Sequence, residues 1–402
     1  MPSINKTDGQ MPSIVLPEYV RALTEVLEAA GEEAYLVGGS LRDLLLGQIP
    51  HDYDLATSAP PRRTADIFSE EYRVIETGLK HGTVTVLSEG KPVEITTFRI
   101  DGSYTDGRHP DAVSFTDRIV DDLSRRDFTV NAMAYRDKTG LLDPFGGRAD
   151  LTDRLLRAVG EPVRRFSEDA LRILRAFRFS AQLGFVIEEA TLEGIGRCKE
   201  GLERIAKERI AAEFLKLLCA KSPAPALRAM RDGGVLPYVI GDYCPKEAII
   251  DKLATMPAED TARLGLFFAD TDTARAAELL RGLRLSNKQI TGACAVLRGS
   301  AYEVRTPADA RRLIAASGVW ASMAVRAAVL LGNAEAEAIG WVEKNNAPCQ
   351  LSDLAISGRD LLAVGIRGKD VGKTLLELLS AVMNDPSLNQ KELLLEMIKK
   401  GL

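Results

Sequence analysis

Apolar positions recur at two different periods along this chain, and the change from one to the other divides it. Val20, Leu23, Val26 and Leu27 fall at helical spacing and predict an amphipathic helix over 17–31. The run Tyr35-Leu36-Val37 reads as a short buried strand. After Gly38, Gly39 and Ser40, a helix is expected over Leu41–Leu46, stopped by Gly47. Asp52-Tyr53-Asp54-Leu55 reads as a second strand, 62–68 as a short helix, and Tyr72–Glu76, Thr83–Leu87 and Val93–Arg99 as strands. A mixed sheet with a few helices is therefore expected up to about residue 150.

Beyond residue 150 the alternation fades and helical spacing continues to the end. Ser167, followed by Glu168 and Asp169, reads as a helix N-cap with acidic residues in the first turn, and Gly184 closes that helix. Lys207–Leu218 (KERIAAEFLKLL) is a further amphipathic helix. Breaks are expected near Lys221-Ser222-Pro223, Arg284-Leu285-Ser286 and Asn345-Asn346-Ala347-Pro348. The fold class is α+β: an N-terminal head with a mixed sheet over 1–150, then an elongated helical part divided into 151–220, 221–285 and 286–402.

Three stretches carry candidate chemistry. The first is YLVGGSLRDLLLGQIPHDYDLATSA, residues 35–59. Adjacent glycines after a strand allow close approach of the backbone to a ligand, and the amides of Gly39 and Ser40 sit at a helix start, where anions bind. Arg42, one turn inside, can reach a phosphate. Asp52 and Asp54, two apart on a strand, point to one face, where two carboxylates repel unless a cation lies between them. A phosphate cradle beside a carboxylate pair suits a nucleoside triphosphate with Mg²⁺. Glu94, in VEITTFR, is either a third carboxylate or an exposed strand residue.

The second is DDLSRRDFTVNA, residues 121–132, whose adjacent Arg125 and Arg126 can neutralise triphosphate charge. The third is EDALRILRAFRF, residues 168–179, in which Asp169 and Arg172 are i, i+3 neighbours and Arg175 and Arg178 continue the row. A carboxylate accepts from the exocyclic amine of cytosine or adenine, and guanine and uracil carry a carbonyl at that position, so an Asp–Arg pair on a rigid helix can separate the two classes. Between the first and second stretches, residues 99–118 form a long polar loop placed to move over the site, with His109 solvated.

Composition narrows the picture. No run of about eighteen apolar residues or basic-then-apolar leader is present, so neither a membrane span nor a signal peptide is expected. The five cysteines are scattered and form no C-x-x-C pair, which disfavours zinc or a disulfide framework and suits the reducing cytoplasm. The net charge of −5 argues mildly against a polyanion partner, although a local basic groove suffices.

The ordered combination G-G-S-x-x-R-D then D-x-D resembles the active-site signature of polymerase-β-type nucleotidyltransferases. The form LVGGSLRDLLLG…HDYDLATSA resembles the class II tRNA nucleotidyltransferases (CCA-adding enzymes) and the bacterial poly(A) polymerases. DLSRRDFTVNAMAY and EDALRILRAFRFSAQLGF are similar to later motifs of the same family, in the same order. The resemblance covers roughly residues 33–218. It implies a polymerase-β-like head (1–150), a helical neck that reads the base (151–220), a helical body (221–285) and a tRNA-binding tail (286–402). It implies nucleotide contacts from Gly38, Gly39, Arg42 and Arg126, two Mg²⁺ held by catalytic Asp52 and Asp54, base reading by Asp169 and Arg172, and a phosphate or RNA path lined by Arg175 and Arg178. The substrates implied are tRNA, CTP and ATP. KERIAAEFLKLL is similar to a motif that braces the neck, and no site residue is expected there. A CC-adding or A-adding specialist, or a poly(A) polymerase, shares the head motifs; the short chain end, with only Lys399-Lys400, lowers the last.

Overall fold

The computed structural model describes residues 14–76, 78–102 and 113–400. They fall into two compact units, one formed by the described residues of Met1–Ile210 with Asp232–Tyr238, the other by Ala211–Arg231 with the described residues of Val239–Leu402.

In the first unit, helix α1 (Glu18–Ala29) buries Val20, Leu23 and Leu27, as the spacing predicts. The strands are β1 (Ala34–Val37), β2 (Asp54–Thr57), β3 (Arg73–Ile75), β4 (Thr83–Ser88), β5 (Lys91–Thr97), β6 (Arg99–Asp101), β7 (Val113–Phe115), β8 (Ala134–Arg136), β9 (Gly140–Leu142), β10 (Leu155–Leu156) and β11 (Val186–Ile187). Among the described residues seven of them form one sheet in the order β3-β4-β5-β2-β1-β8-β9. Only β2 and β5 run parallel within it. Central β1 is buried at every position, which is why it reads as a continuous apolar run; β5 alternates, with Val93 and Ile95 inside and Glu94 outside.

Two expectations change here. The ends of the 99–118 stretch are paired strands: β6 and β7 form an antiparallel ribbon with Arg99 opposite Phe115. His109 lies outside the described residues. Strand pairing also does not stop at residue 150, because β10 and β11 pair in parallel. Two-residue strands carry too little alternation to be read from sequence.

Helices of this unit that matter for the site are α2 (Gly38–Leu45), α3 (Pro61–Phe68), α4 (Ile119–Ser124), α5 (Gly147–Asp153), α6 (Pro162–Glu168), α7 (Leu171–Leu183) and α8 (Glu189–Cys198), and α9 (Lys207–Leu218) starts in it and runs on into the second unit. The second unit is helical. The expected break at Ser286 is built from local chemistry: Ser286 and Gln289 form a capping box at the start of Asn287–Ser300. A break that the sequence reading did not name follows at Thr306, which forms a capping box with Asp309 at Pro307–Ser317. The segment Pro307–Leu331 is apolar enough by composition to match a membrane span. It is two helices, interrupted at Gly318 with φ +57°, that pack on each other around Leu313, Ala324 and Val325.

Candidate functional site

The site starts where β1 ends. Gly38 has φ +69°, and a Cβ there would stand 3.1 Å from Arg126 Nη1 and 3.7 Å from Asp54 Oδ2. A side chain would therefore face both strain and a wedge between a cation and a carboxylate. Helix α2 begins at Gly38 rather than Leu41, so the first-turn amides of Gly39 and Ser40, which have no partner inside the helix, lie at the strand end. The Ser40 hydroxyl donates to the Val37 carbonyl (2.8 Å) and accepts from the Asp54 amide (3.4 Å), tying the turn to β2.

Strand β2 begins at Asp54, so Asp52 stands just before the strand rather than on it. The alternation nevertheless continues through it: Asp52 is exposed, Tyr53 buried and Asp54 half-buried. In the parallel register Asp54 lies opposite Glu94. Burial, then the charges of Asp52 and Glu94, push the Asp54 carboxyl up to about 6 against the opposing pull of Arg126. Glu94 is thus a neighbour of the carboxylate pair, although its own side chain is exposed.

Facing these carboxylates, a cleft of about 520 Å³ is lined by seven arginines, 42, 125, 126, 172, 175, 178 and 209, together with Phe179. Each of the following has an identifiable holder. Asp122, only 1% exposed, accepts from Arg125 (2.6 Å) and Arg126 (3.0 Å). Burial would raise its pKa, but the two guanidinium groups override it and hold the carboxyl below the usual range. Asp127 is buried yet held at about 2, because Arg175 outweighs the burial. It also accepts from Asn131 Nδ2 (3.2 Å), whose Oδ1 accepts from Arg42 Nη1 (2.8 Å). Arg175, Asp127, Asn131 and Arg42 therefore form one connected frame. A second cavity of about 670 Å³, bounded by Pro60, Pro61, Leu79 and Phe115, lacks such convergent charge, so size does not mark the site.

The helix around Asp169 differs from its sequence reading. Ser167 is inside α6, and the chain leaves helical geometry at Asp169 (φ −142°, ψ 104°). Asp169 Oδ1 then accepts from the Leu171 amide (3.0 Å), so Asp169 rather than Ser167 caps the next helix, α7. Asp169 and Arg172 consequently do not share a helix face. Arg172 is bonded to Glu168 (2.8 Å) and to the carbonyls of Arg165 and Arg125, and Asp169 is paired with Arg209 (3.3 Å). Both still line the cleft. Arg209, at the start of the KERIAAEF helix, is a cleft residue that sequence reasoning missed, as it did Asp127, Asn131 and Phe179, while Arg125 lines the cleft beside Arg126. The available signal was the R-R-D-x-x-x-N and R-x-x-R-F clustering; for Arg209 there was none.

A glycine turn at a strand end, a carboxylate pair at the start of the antiparallel neighbour and an arginine-lined cleft on a mixed sheet define a nucleotidyltransferase head of the polymerase-β type. Comparison with known proteins agrees with this class. Residues 34–157 match the Poly A polymerase head domain, and residues 259–398 match tRNA nucleotidyltransferase domain 2. The chain is 38% identical to the CCA-adding enzyme of Latilactobacillus sakei over 95% of its own length and 98% of that protein's, and 38% identical to that of Enterococcus faecalis over 93% of each. The crystal structure of the Bacillus stearothermophilus CCA-adding enzyme in complex with CTP superposes with a TM-score of 0.80 at 30% identity, covering 96% of this chain and 98% of that one. The chain belongs to the CCA-adding tRNA nucleotidyltransferase family.

Proposed function

We propose that this protein adds C, C and A to the 3′ end of tRNA from CTP and ATP without a nucleic-acid template, releasing pyrophosphate, in the cytoplasm. The observation that carries this reading is the cleft itself: Asp52 and Asp54, a frame of held arginines, and Asp169 and Arg172 all line one cavity.

In this reading the amides of Gly39 and Ser40, with Arg42 and Arg126, bind the triphosphate, while Arg175 and Arg178 extend the cationic wall along the phosphate or RNA path. Gly38 keeps Arg126 and Asp54 in direct contact with the cleft. Asp52 and Asp54 are the metal ligands, with Glu94 beside them. The fit to a divalent ion rests on Asp54: its carboxyl is displaced upward first by burial and then by the charges of Asp52 and Glu94, and a cation between these carboxylates relieves the like-charge part. Among the described residues no group of three or more His, Cys, Asp or Glu side chains closes a metal cage, so open coordination positions would be left to substrate and water. That donor set suits Mg²⁺, which takes one or two carboxylates plus phosphate oxygens. When bound, the ion supplies Lewis-acid activation of the RNA 3′-hydroxyl and charge neutralisation at the pyrophosphate.

Asp169 accepts from the exocyclic amine of cytosine or adenine, and Arg172 donates to the adjacent ring positions. Their present partners, Arg209 and Glu168, hold each side chain at the wall without need of a shared helix face. The helical segments 221–285 and 286–402 hold the tRNA. The test is incubation of purified protein with tRNA lacking its 3′ end, with CTP alone, ATP alone and both. Addition of two C residues, then A only when both are supplied, is expected. Addition of C alone in the mixed reaction would assign a CC-adding specialist, and long A tracts a poly(A) polymerase.

A further inference from the structure

Three of the cleft arginines share one aromatic ring. The Cζ atoms of Arg178, Arg42 and Arg175 lie 4.0, 5.2 and 5.3 Å from the centroid of the Phe179 ring. Phe179 is 7% exposed and stands edge-on to core residue Phe128, centroids 5.9 Å apart at 83°. The ring is thus anchored in the core at one edge and surrounded by guanidinium groups from two elements, α2 and α7. All three distances fall within the range of cation–π attraction.

Three like charges around one point repel, and the protein has two ways to hold them. A carboxylate would do so, but it would consume in-plane N–H donors and cancel charge a triphosphate needs. An aromatic face attracts the flat side of a guanidinium through its quadrupole and carries no net charge. A cation–π contact takes up no N–H donor, so it adds to the hydrogen bonds that Arg42 already gives Asp43 and Asn131 and that Arg175 gives Asp127. The existing carboxylate holders, Asp127 for Arg175 and Asp43 for Arg42, each serve one arginine of the trio. The ring lies beside all three.

We infer that Phe179 is a positioning residue for triphosphate binding: its ring gathers Arg42, Arg175 and Arg178 at one place on the cleft wall and adds no counter-charge to those of Asp43 and Asp127. This rests on the reading of those arginines as triphosphate and RNA-path ligands. Phe179 acts through the arginines, so it should influence nucleotide affinity rather than the chemical step or base choice.

The experiment is steady-state incorporation by the full-length protein on tRNA lacking its terminal A or CCA. Phe179→Leu keeps an apolar side chain and removes the quadrupole; Phe179→Tyr keeps both. For Phe179→Leu the KM for CTP and for ATP should rise together by about tenfold, with kcat within about twofold and discrimination against UTP and GTP unchanged. Phe179→Tyr should match the parent. Site-specific fluorinated phenylalanines at 179, which weaken the quadrupole stepwise at nearly constant shape, should raise KM with each added fluorine; they also carry the test if the leucine variant fails to fold. Equal KM values for leucine and tyrosine, or a flat fluorine series, would overturn the inference and leave Phe179 as core filler. Arg42→Gln, Arg175→Gln and Arg178→Gln are run alongside. If these raise KM while the fluorine series is flat, only the role of the ring fails. If none of them changes KM, the assignment of the arginines fails, and the inference with it.

Discussion

Buried guanidinium groups occur in both units and do opposite things. In the first unit Arg42, Arg172 and Arg178 are buried along a cleft wall, and their neighbours are carboxylates, an amide and an aromatic ring. In the second unit Arg263, 4% exposed, donates only to backbone carbonyls, those of Leu218, Ala220, Ala254 and Met256. It closes the C-terminal end of α9 and the turn at 253–256, where helices leave carbonyls without internal partners. Burial lowers its pKa. Burial of an arginine is therefore not a mark of function. What separates the two is what they line: Arg263 gives its donors to backbone carbonyls alone, whereas Arg172 bonds a carboxylate as well as two carbonyls and, with Arg42 and Arg178, lines an open cavity.

Four measurements sharpen or break this contrast. The largest effect is expected at the carboxylates. Asp54→Ala should reduce incorporation by at least about 10³-fold while the circular dichroism spectrum stays parental. Near-normal turnover at saturating Mg²⁺ would remove Asp54 from the metal site.

Arg263→Met should cost about 2–4 kcal/mol of stability in urea denaturation, because several buried carbonyls lose their donor together. The KM for CTP of the folded variant should be unchanged. A KM shift without loss of stability would place Arg263 among the functional arginines and dissolve the comparison.

Asp169→Ala combined with Arg172→Ala should reduce discrimination against UTP and GTP by a factor of about ten to a hundred, measured by single-nucleotide incorporation on tRNA ending before CCA. A double variant as selective as the parent would locate base choice elsewhere on the wall.

The smallest effect is a pH dependence. The Asp54 carboxyl is raised to about 6 in the folded protein, so the native state binds a proton more tightly than the unfolded chain. Metal-free protein should then gain stability as pH falls from 7 through about 6, with the gain complete near the unfolded carboxylate value of about 4. The contribution should be roughly 1–2 kcal/mol after solvent screening. It should vanish from the slope in Asp54→Asn, followed by denaturation in chelator. Asp122 and Asp127, held below the usual range, contribute in the opposite sense, and their stability is lost only at lower pH. A parental slope in Asp54→Asn would show that Asp54 is not the group displaced.

How much was legible follows from range. The Gly38-Gly39 turn, the i, i+2 relation of Asp52 and Asp54, the helix over KERIAAEFLKLL and the break at Ser286 are short-range features, set by φ preferences, strand period, helix period and a capping box. The sequence carries these directly. The cap at Asp169 shows the edge of that range: Ser167 and Asp169 are both good capping residues, and local preference does not choose between them. Packing of α6 and α7 does, and it turns a presumed helix-face pair into two residues held separately.

The rest belongs to tertiary structure. Whether Glu94 approaches Asp54 depends on which strand lies beside β2, and a parallel neighbour from forty residues away has no local signature. That Arg209 reaches Asp169, that Asn131 links Arg42 to Asp127, and that one phenyl ring gathers three guanidinium groups all require elements far apart in sequence to meet. Even the charge reverses meaning, for a chain of net charge −5 assembles seven arginines around one cleft. Charge summed along a chain is indifferent to position, whereas the electrostatic field in a cleft depends on distance, and distances exist only once the chain is folded.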